Sequence, residues 1–562
     1  MLEKASSSSS PRVVIVGAGI GGLTLGIDLK KKLGFHNFTI YEQSDDVGGT
    51  WHDNTYPGCG ADVEVQWYSL STEPNPYFSA AFVPQSEIKD YWVGLAKKYS
   101  LYDNTSLNTN VLSSTWDASR QLYAIELENV LTGERKTDYA QVFISAIGAL
   151  HAPNYPPDLD SIKNFKGEHF HSARWNHKVD LHNKRVAVIG NGCSAAQFVP
   201  KISEDTTTEV VNFCRSSAWF LNIKPPAFTP WTIWKFVHIP LYLKIHRALL
   251  MLKHELAYVF ALTGGPDNKF RKKIAASSAA YIKSTAPEKY HKVLIPDYEF
   301  GCKRPIVDSG YLEALNRPNL DLNYDGIASF SDDGIITKKG EHIPFDVIIF
   351  GTGFEVDGYP IYIRGQDGKT IEQFYEEQGG PTAYFSTALP GFPNFFMILG
   401  PNANGHGSIM FLEEVQINYI LDVIKPVLQK SISSFEVTAA ATDRYNKFLD
   451  NRLKGSVFTG CSSWYRVAGT GKISRILPIT QVEYWWRLRN VKWNDYSIVG
   501  GDAWERRRWI LRVGKNVGVV GLVFAAIWAR RNWKDIRELW QFVLQEISKS
   551  LGVVASQLKV LL

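Results

Sequence analysis

Four apolar residues, Val13-Val14-Ile15-Val16, run directly into Gly17-Ala-Gly19-Ile-Gly21-Gly22. An apolar run of this length reads as a strand buried on both faces of a parallel sheet. The glycine spacing constrains the turn and the helix after that strand. Gly17 permits the tight turn, Gly19 lets backbone approach a pyrophosphate, and Gly22 lets the next helix pack against the strand. The amide donors at the start of that helix complete an anion site. Glu42 lies 20 residues past Gly22, at the end of the next apolar stretch, FTIYEQ. A carboxylate there accepts ribose hydroxyls of an adenosine half. Strand, turn, helix and acid together predict a dinucleotide fold.

A second start of the same kind follows Arg185-Val-Ala-Val-Ile, as Gly190-Asn-Gly192-Cys-Ser194-Ala195. Twenty residues past Ala195 the chain places Arg215-Ser216 where the first unit places Glu42. A 2′-phosphate is repelled by a carboxylate and held by a guanidinium. The first site is therefore expected to take FAD and the second NADPH, with hydride passing from nicotinamide to flavin. A third apolar strand, Asp346-Val-Ile-Ile-Phe-Gly, implies that one of the two folds is interrupted. The expected class is α/β: two Rossmann-like dinucleotide-binding domains, the NADP domain inserted in the FAD domain, and a helical C-terminal tail. Expected boundaries are 11–150 and 340–500 for FAD, 151–339 for NADP and 501–562 for the tail, behind a disordered polar leader, 1–10.

Composition narrows the partners. A chain of 562 residues with 45% hydrophobic and 21% charged residues supports several folded domains. The net charge of +5 is too small to suggest nucleic acid. The tail from residue 501 carries +6 and the rest −1. Cys59, Cys193, Cys214, Cys302 and Cys461 are far apart, with no CxxC, so neither a disulfide framework nor a metal centre is expected, and a reducing compartment fits. The absence of CxxC also argues against a disulfide oxidoreductase.

Two apolar segments raise the question of a membrane. Residues 225–262 are aromatic and helical in pattern, but Lys and His interrupt them every few positions, and a packed helical insertion is expected. Residues 517–529 are apolar but short of the roughly 20 needed to span a bilayer. Basic residues flank them, with Trp528 near their end and Trp533 and Trp540 beyond it. The tail is expected either to cap the enzyme or to lie at a membrane interface. The expected location is the cytoplasm, with membrane association through the tail as the alternative.

Two further motifs carry a resemblance. Gly48, Gly49, Trp51, Tyr56, Pro57, Gly58 and Asp62 meet the pattern GGxWxxxxYPGxxxD, and Phe165, Gly167, His171 and Trp175 meet FxGxxxHxxxW. Between two glycine motifs, these make the chain resemble the Baeyer–Villiger branch of the flavin-dependent monooxygenases, from about residue 12 to about residue 490. That family inserts oxygen beside a ketone through a C4a-peroxyflavin. The resemblance implies that Arg304 stabilises negative charge on the reacting oxygen and that Asp62 orients it. It implies flavin contacts at Thr50, Trp51, Asp62, Tyr68 and Val111, and NADP contacts at Ser194, Lys303 and Trp464. His171 is expected to link domains and not to act as a base. One departure stands out: the pattern usually continues Trp-Pro, and here Asn176 follows Trp175. Relatives with that variation hydroxylate or epoxidise, so these remain alternatives to oxidation of an apolar ketone by O₂. N- or S-oxygenation, whose enzymes carry Phe or Tyr at the Trp175 position, and flavin reduction without oxygenation are the further alternatives. The aromatic insertion and extra tail are similar to fungal enzymes of secondary metabolism.

Overall fold

A computed structural model of the chain describes residues 10–224, 227–265, 267–533, 537–538 and 540–549. Residues 1–9 of the expected leader, the start of the aromatic insertion at Pro225 and the last residues of the tail lie outside these.

Val13–Val16 is the centre of a five-stranded parallel sheet, flanked by Phe38–Tyr41 and Val142–Ser145. Thr105–Ser106 and Phe395–Met397 form its edges. Every residue of the central strand is buried, as its unbroken apolar run requires. The chain turns at Gly17, whose φ of +98° is open to glycine, and enters the helix Ile20–Leu33. Lys30, Lys31 and Lys32 in the last turn complement the helix dipole before Gly34 ends it in the left-handed conformation.

The second parallel sheet also has five strands, in the order Leu320–Asn323, Glu209–Phe213, Arg185–Ile189, Val347–Phe350 and Glu168–His171. All of it falls between Val142–Ser145 and Phe395–Met397 of the first sheet, so one nucleotide fold is inserted in the other. One boundary needs correcting. The sequence assigns Val347–Phe350 to the returning FAD segment from residue 340, but this strand pairs with Arg185–Ile189. Its four buried residues fill the second core, so the insertion runs past residue 339.

The residues through Val499 form one compact unit, and those from Gly500 a second. The second contains the helix Asp502–Arg531. Among the described residues no helix is long and apolar enough to cross a membrane.

The expectation of unpaired cysteines also needs correcting. Cys302 and Cys461 form a disulfide, while Cys59, Cys193 and Cys214 are free. The partners are 159 residues apart in the chain, so no local spacing announces them.

Candidate active site

The helix Ile20–Leu33 starts at Gly19 with no side-chain cap and no acid in its first turn. Its first amides are thus left for an anion. A methyl group on Gly49 would lie 2.7 Å from the Cα of Gly19, so these two glycines form a narrow backbone cradle. Glu42 is buried beside it. Its carboxylate accepts the Ala18 amide at 2.7 Å and the Ser44 amide at 2.9 Å, fixing its position at the end of its strand. Thr109 donates its amide to the Glu42 carbonyl, which ties in the strand Thr109–Asp117 and buried Val111. Thr50 opens a one-turn helix, Thr50–Asp53, and the Trp51 indole donates to the Tyr68 hydroxyl at 3.3 Å. Bare helix start, glycine cradle and anchored acid suit an adenosine diphosphate group.

The second helix, Cys193–Ile202, repeats the pattern: Gly192 precedes it without a side-chain cap. Ser194 and buried Ala195 stand in its first turn. The Asn191 side chain donates to the Ser216 carbonyl at 2.8 Å, holding exposed Arg215 and Ser216 beside the glycine loop. Burial lowers the Lys303 pKa, and the nearby charge of Arg215 lowers it further. These two cations, apart in sequence, thus share one neighbourhood, and the Lys303 ammonium lies 4.6 Å above the Tyr298 ring. Neutralising Arg215 with alanine is expected to raise KM for NADPH and narrow the preference over NADH by about 5–150-fold, the range of a charge-assisted contact. Steady-state kinetics with both nucleotides check this. An unmodified protein that prefers NADH refutes the reading of Arg215.

Near the start of the second helix, Arg304 donates to Asp62 at 2.6 Å. The Asp62 carboxylate is the main cause that raises the Arg304 pKa, against the opposing effect of burial. Cys193 and Tyr465 also lie within electrostatic reach of Arg304. Yet 41% of the Arg304 side chain and 25% of the Asp62 side chain remain accessible, as for a pair facing an open cleft. Asp62 also borders a cavity of about 410 Å³ with Tyr56, Cys59, Gln197 and Asp308. Tyr56 donates to the Gln197 side chain at 2.8 Å, and Gln197 donates to the Gly60 carbonyl at 3.0 Å. The loop that carries Asp62 is therefore fastened to the second nucleotide helix.

His171 is buried. Its Nδ1 accepts the Ala173 amide at 3.1 Å, and its ring meets Tyr155 and Phe354. Burial pushes its pKa down to about 4, so it is neutral at pH 7 and placed for packing. Asn176, the departure from the family pattern, accepts the Lys178 amide at 3.1 Å in a local turn. Trp464 is partly buried against a cluster that includes Tyr258, Cys302 and Tyr465.

Three features escape the sequence. Tyr465 stands near Arg304, and burial pushes its pKa up to about 12 while Arg304 opposes the shift. Its neighbours in the Cys461–Arg466 segment are the available signal. The Cys302–Cys461 bridge joins the segment two residues before Arg304 to the segment three residues before Trp464. Replacing Cys461 with serine is expected to lower product formed per NADPH consumed several-fold, because catalysis is sensitive to small misplacements of a charge. Measured coupling and KM for NADPH check this; a drop in melting temperature with unchanged coupling assigns the bridge to stability alone.

Glu413 is the third. It sits in the helix Ile409–Leu428, fully enclosed, with Oε1 3.5 Å from where a Gly21 methyl would be. Its Oε2 has no partner in the protein, and burial pushes its pKa up to about 8. The folded carboxyl stays protonated while the unfolded one ionises above about 4.5. Glu413 therefore costs stability as pH rises from about 4.5 to about 8. Glu413→Gln is expected to raise stability at pH 8 by roughly a few kcal/mol, with the gain fading toward pH 4.5. Thermal melts across this range check it; a gain that does not vary with pH refutes the assignment.

The sequence matches the model of the flavin-binding monooxygenase-like family over residues 10–245. A Baeyer-Villiger monooxygenase of Pseudomonas aeruginosa is 36% identical over 484 residues, covering 85% of this chain and 89% of the relative. An FAD-binding monooxygenase of Aspergillus niger is 31% identical over 509 residues, covering 87% and 82%. Among solved structures, a complex of the enzyme OTEMO with FAD and NADP superposes with a TM-score of 0.76 at 24% identity, covering 87% of this chain and all of that one.

Proposed function

The chain belongs to the Baeyer–Villiger family of FAD-dependent, NADPH-consuming monooxygenases, and we propose that it oxidises an apolar ketone to an ester or lactone. The supporting observation is the Arg304–Asp62 pair, within electrostatic reach of Cys193 at the start of the second nucleotide helix and of Tyr68, the partner of Trp51. Gly17, Gly19, Gly22 and Glu42 would hold the FAD diphosphate and ribose, with Thr50, Trp51, Tyr68 and Val111 nearer the ring. Gly190, Gly192, Ser194, Ala195, Arg215, Ser216 and Lys303 would hold NADPH, with Trp464 closing over it. Bound flavin, once reduced, supplies the electron pair and the activation of dioxygen. The protein's own contribution is electrostatic. Arg304 would favour negative charge on the attacking oxygen and on the alkoxide that the ketone's carbonyl oxygen becomes, and Asp62 would hold the guanidinium in place.

The test is a ketone panel with NADPH and O₂, with products analysed for one added oxygen and for its position. Ester or ring-expanded lactone supports the proposal. A hydroxylated or epoxidised product moves the assignment to the reading that Asn176 keeps open, and an N- or S-oxide moves it to the neighbouring oxygenase branch. We place the reaction in secondary metabolism by its likeness to fungal enzymes. The protein would work in the cytoplasm, and the tail, with exposed Trp509, Phe524, Ile527 and Trp528, suits the surface of a membrane.

A further inference from the structure

The sequence predicts that the insertion at 225–262 packs its apolar residues inward. Its helix Tyr242–Ala257 buries Leu243 but turns several of its other apolar residues outward. The inward face carries charge. Buried Arg247 donates to the Gln66 carbonyl, to the Ser69 hydroxyl at 2.7 Å and to the Ser69 carbonyl at 2.9 Å. Buried Glu255 accepts the Gln481 amide at 2.9 Å and faces His406 at 3.2 Å. The outward face is apolar: Ile245, Leu249, Leu252 and Leu256 are 44–59% exposed, and Leu241, just before the helix, is exposed too. Steps of three and four residues put these on one stripe of a helix. The neighbouring helix, Pro230–His238, exposes Trp231 and Trp234, stacked with ring centroids 4.8 Å apart. A helix facing water has the opposite pattern.

The exposed charge carried by these two helices has one sign. Between Pro230 and Ala257 the only carboxylate is Glu255, which is turned inward, while Lys244 and Lys253 are exposed. Lys253 shares Glu64 with His254, and Lys244 adjoins exposed Ile245 of the stripe. Indole rings and a leucine stripe beside the exposed Lys244 ammonium are what a bilayer interface with anionic headgroups takes up. We propose that the helices Pro230–His238 and Tyr242–Ala257 form a docking surface for an anionic phospholipid bilayer. The inward contacts of Arg247 reach Gln66 and Ser69, a few residues beyond Asp62. Docking therefore sets the cleft that holds Asp62 close to lipid. An apolar substrate dissolved there has a short path to it, a consequence that rests on the ketone reading, whereas the docking itself does not.

The test uses the full chain loaded with FAD. Hydrogen–deuterium exchange over residues 230–262 is measured with vesicles of phosphatidylcholine and phosphatidylserine, and with no lipid. Co-sedimentation with the same vesicles compares the unmodified chain with Leu249→Ser/Leu252→Ser. Slower exchange on lipid addition is expected. The double variant, with FAD content and NADPH oxidation unchanged, is expected to bind vesicles about tenfold or more weakly. Exchange at 230–262 that ignores lipid overturns the proposal. So does protection without lipid that grows with protein concentration, which makes the stripe a contact between two copies. Lipid-free protection that disappears with Trp509→Ser/Trp528→Ser also overturns it, because the chain's own tail is then the cover. Ketone turnover enters none of these readouts, so failure of the ketone reading leaves the result intact.

Discussion

Arg304→Ala is expected to lower oxygenated product by about 10²–10³-fold, the usual loss for one electrostatic stabiliser, while the protein stays yellow and still consumes NADPH. The separation comes from where the guanidinium sits. It is hydrogen-bonded to Asp62 and lies within reach of Cys193 at the start of the second helix, but it belongs to neither glycine cradle. Hydride transfer moves no negative charge onto oxygen, whereas attack on a carbonyl does. Removing the cation should therefore spare the first half-reaction and stop the second. Electrons taken from NADPH then leave as hydrogen peroxide. Lys303 neighbours Arg304 and shares Arg215's surroundings, so some slowing of NADPH oxidation is expected. Asp62→Ala should give a milder form of the same split, since the carboxylate acts by orienting the guanidinium. Parallel assays of NADPH, peroxide and ester decide the matter. Near-normal ester formation by the Arg304 variant removes this residue from the mechanism.

Local signals carry over to the structure faithfully, and non-local ones do not. Gly17 and Gly190 mark strand-to-helix turns because a positive φ is a property of one residue, and both adopt it, at +98° and +107°. Val347–Phe350 is readable as a buried parallel strand from its composition. Which sheet it joins depends on partners at 185–189 and 168–171, and an apolar run carries no address. The helix Tyr242–Ala257 is readable as amphipathic, but its inward face is decided by Gln66, Ser69 and His406, all distant in sequence. Nothing in the local sequence separates Glu413, enclosed beside the first nucleotide helix, from its neighbour Glu414, which accepts the exposed Ser71 hydroxyl. The Arg304–Asp62 pair spans 242 positions and is legible from the family motifs, not from spacing.

Two glycine substitutions should separate the nucleotide sites. An alanine methyl at Gly22 would lie 1.9 Å from the Gly17 carbonyl oxygen. That oxygen is backbone and belongs to the same turn, so no side chain can swing aside; the helix must leave the strand or the cradle must open. At Gly190 the methyl would lie 2.4 Å from the Gly351 carbonyl oxygen, and φ is +107°, so both space and conformation oppose it. The first sheet does not pass through Gly190, and the second does not pass through Gly22. Gly22→Ala is therefore expected to yield protein with FAD affinity down by about 10²-fold or more, or protein that fails to fold without FAD. Gly190→Ala is expected to remain yellow with its FAD retained, and to need about 10²-fold more NADPH for the same rate of flavin reduction. FAD-to-protein ratio and the NADPH concentration dependence of reduction, measured on both variants, check the pair. A Gly22 variant with full FAD, or a Gly190 variant that loses FAD and keeps its NADPH affinity, reverses the assignment of the two cradles.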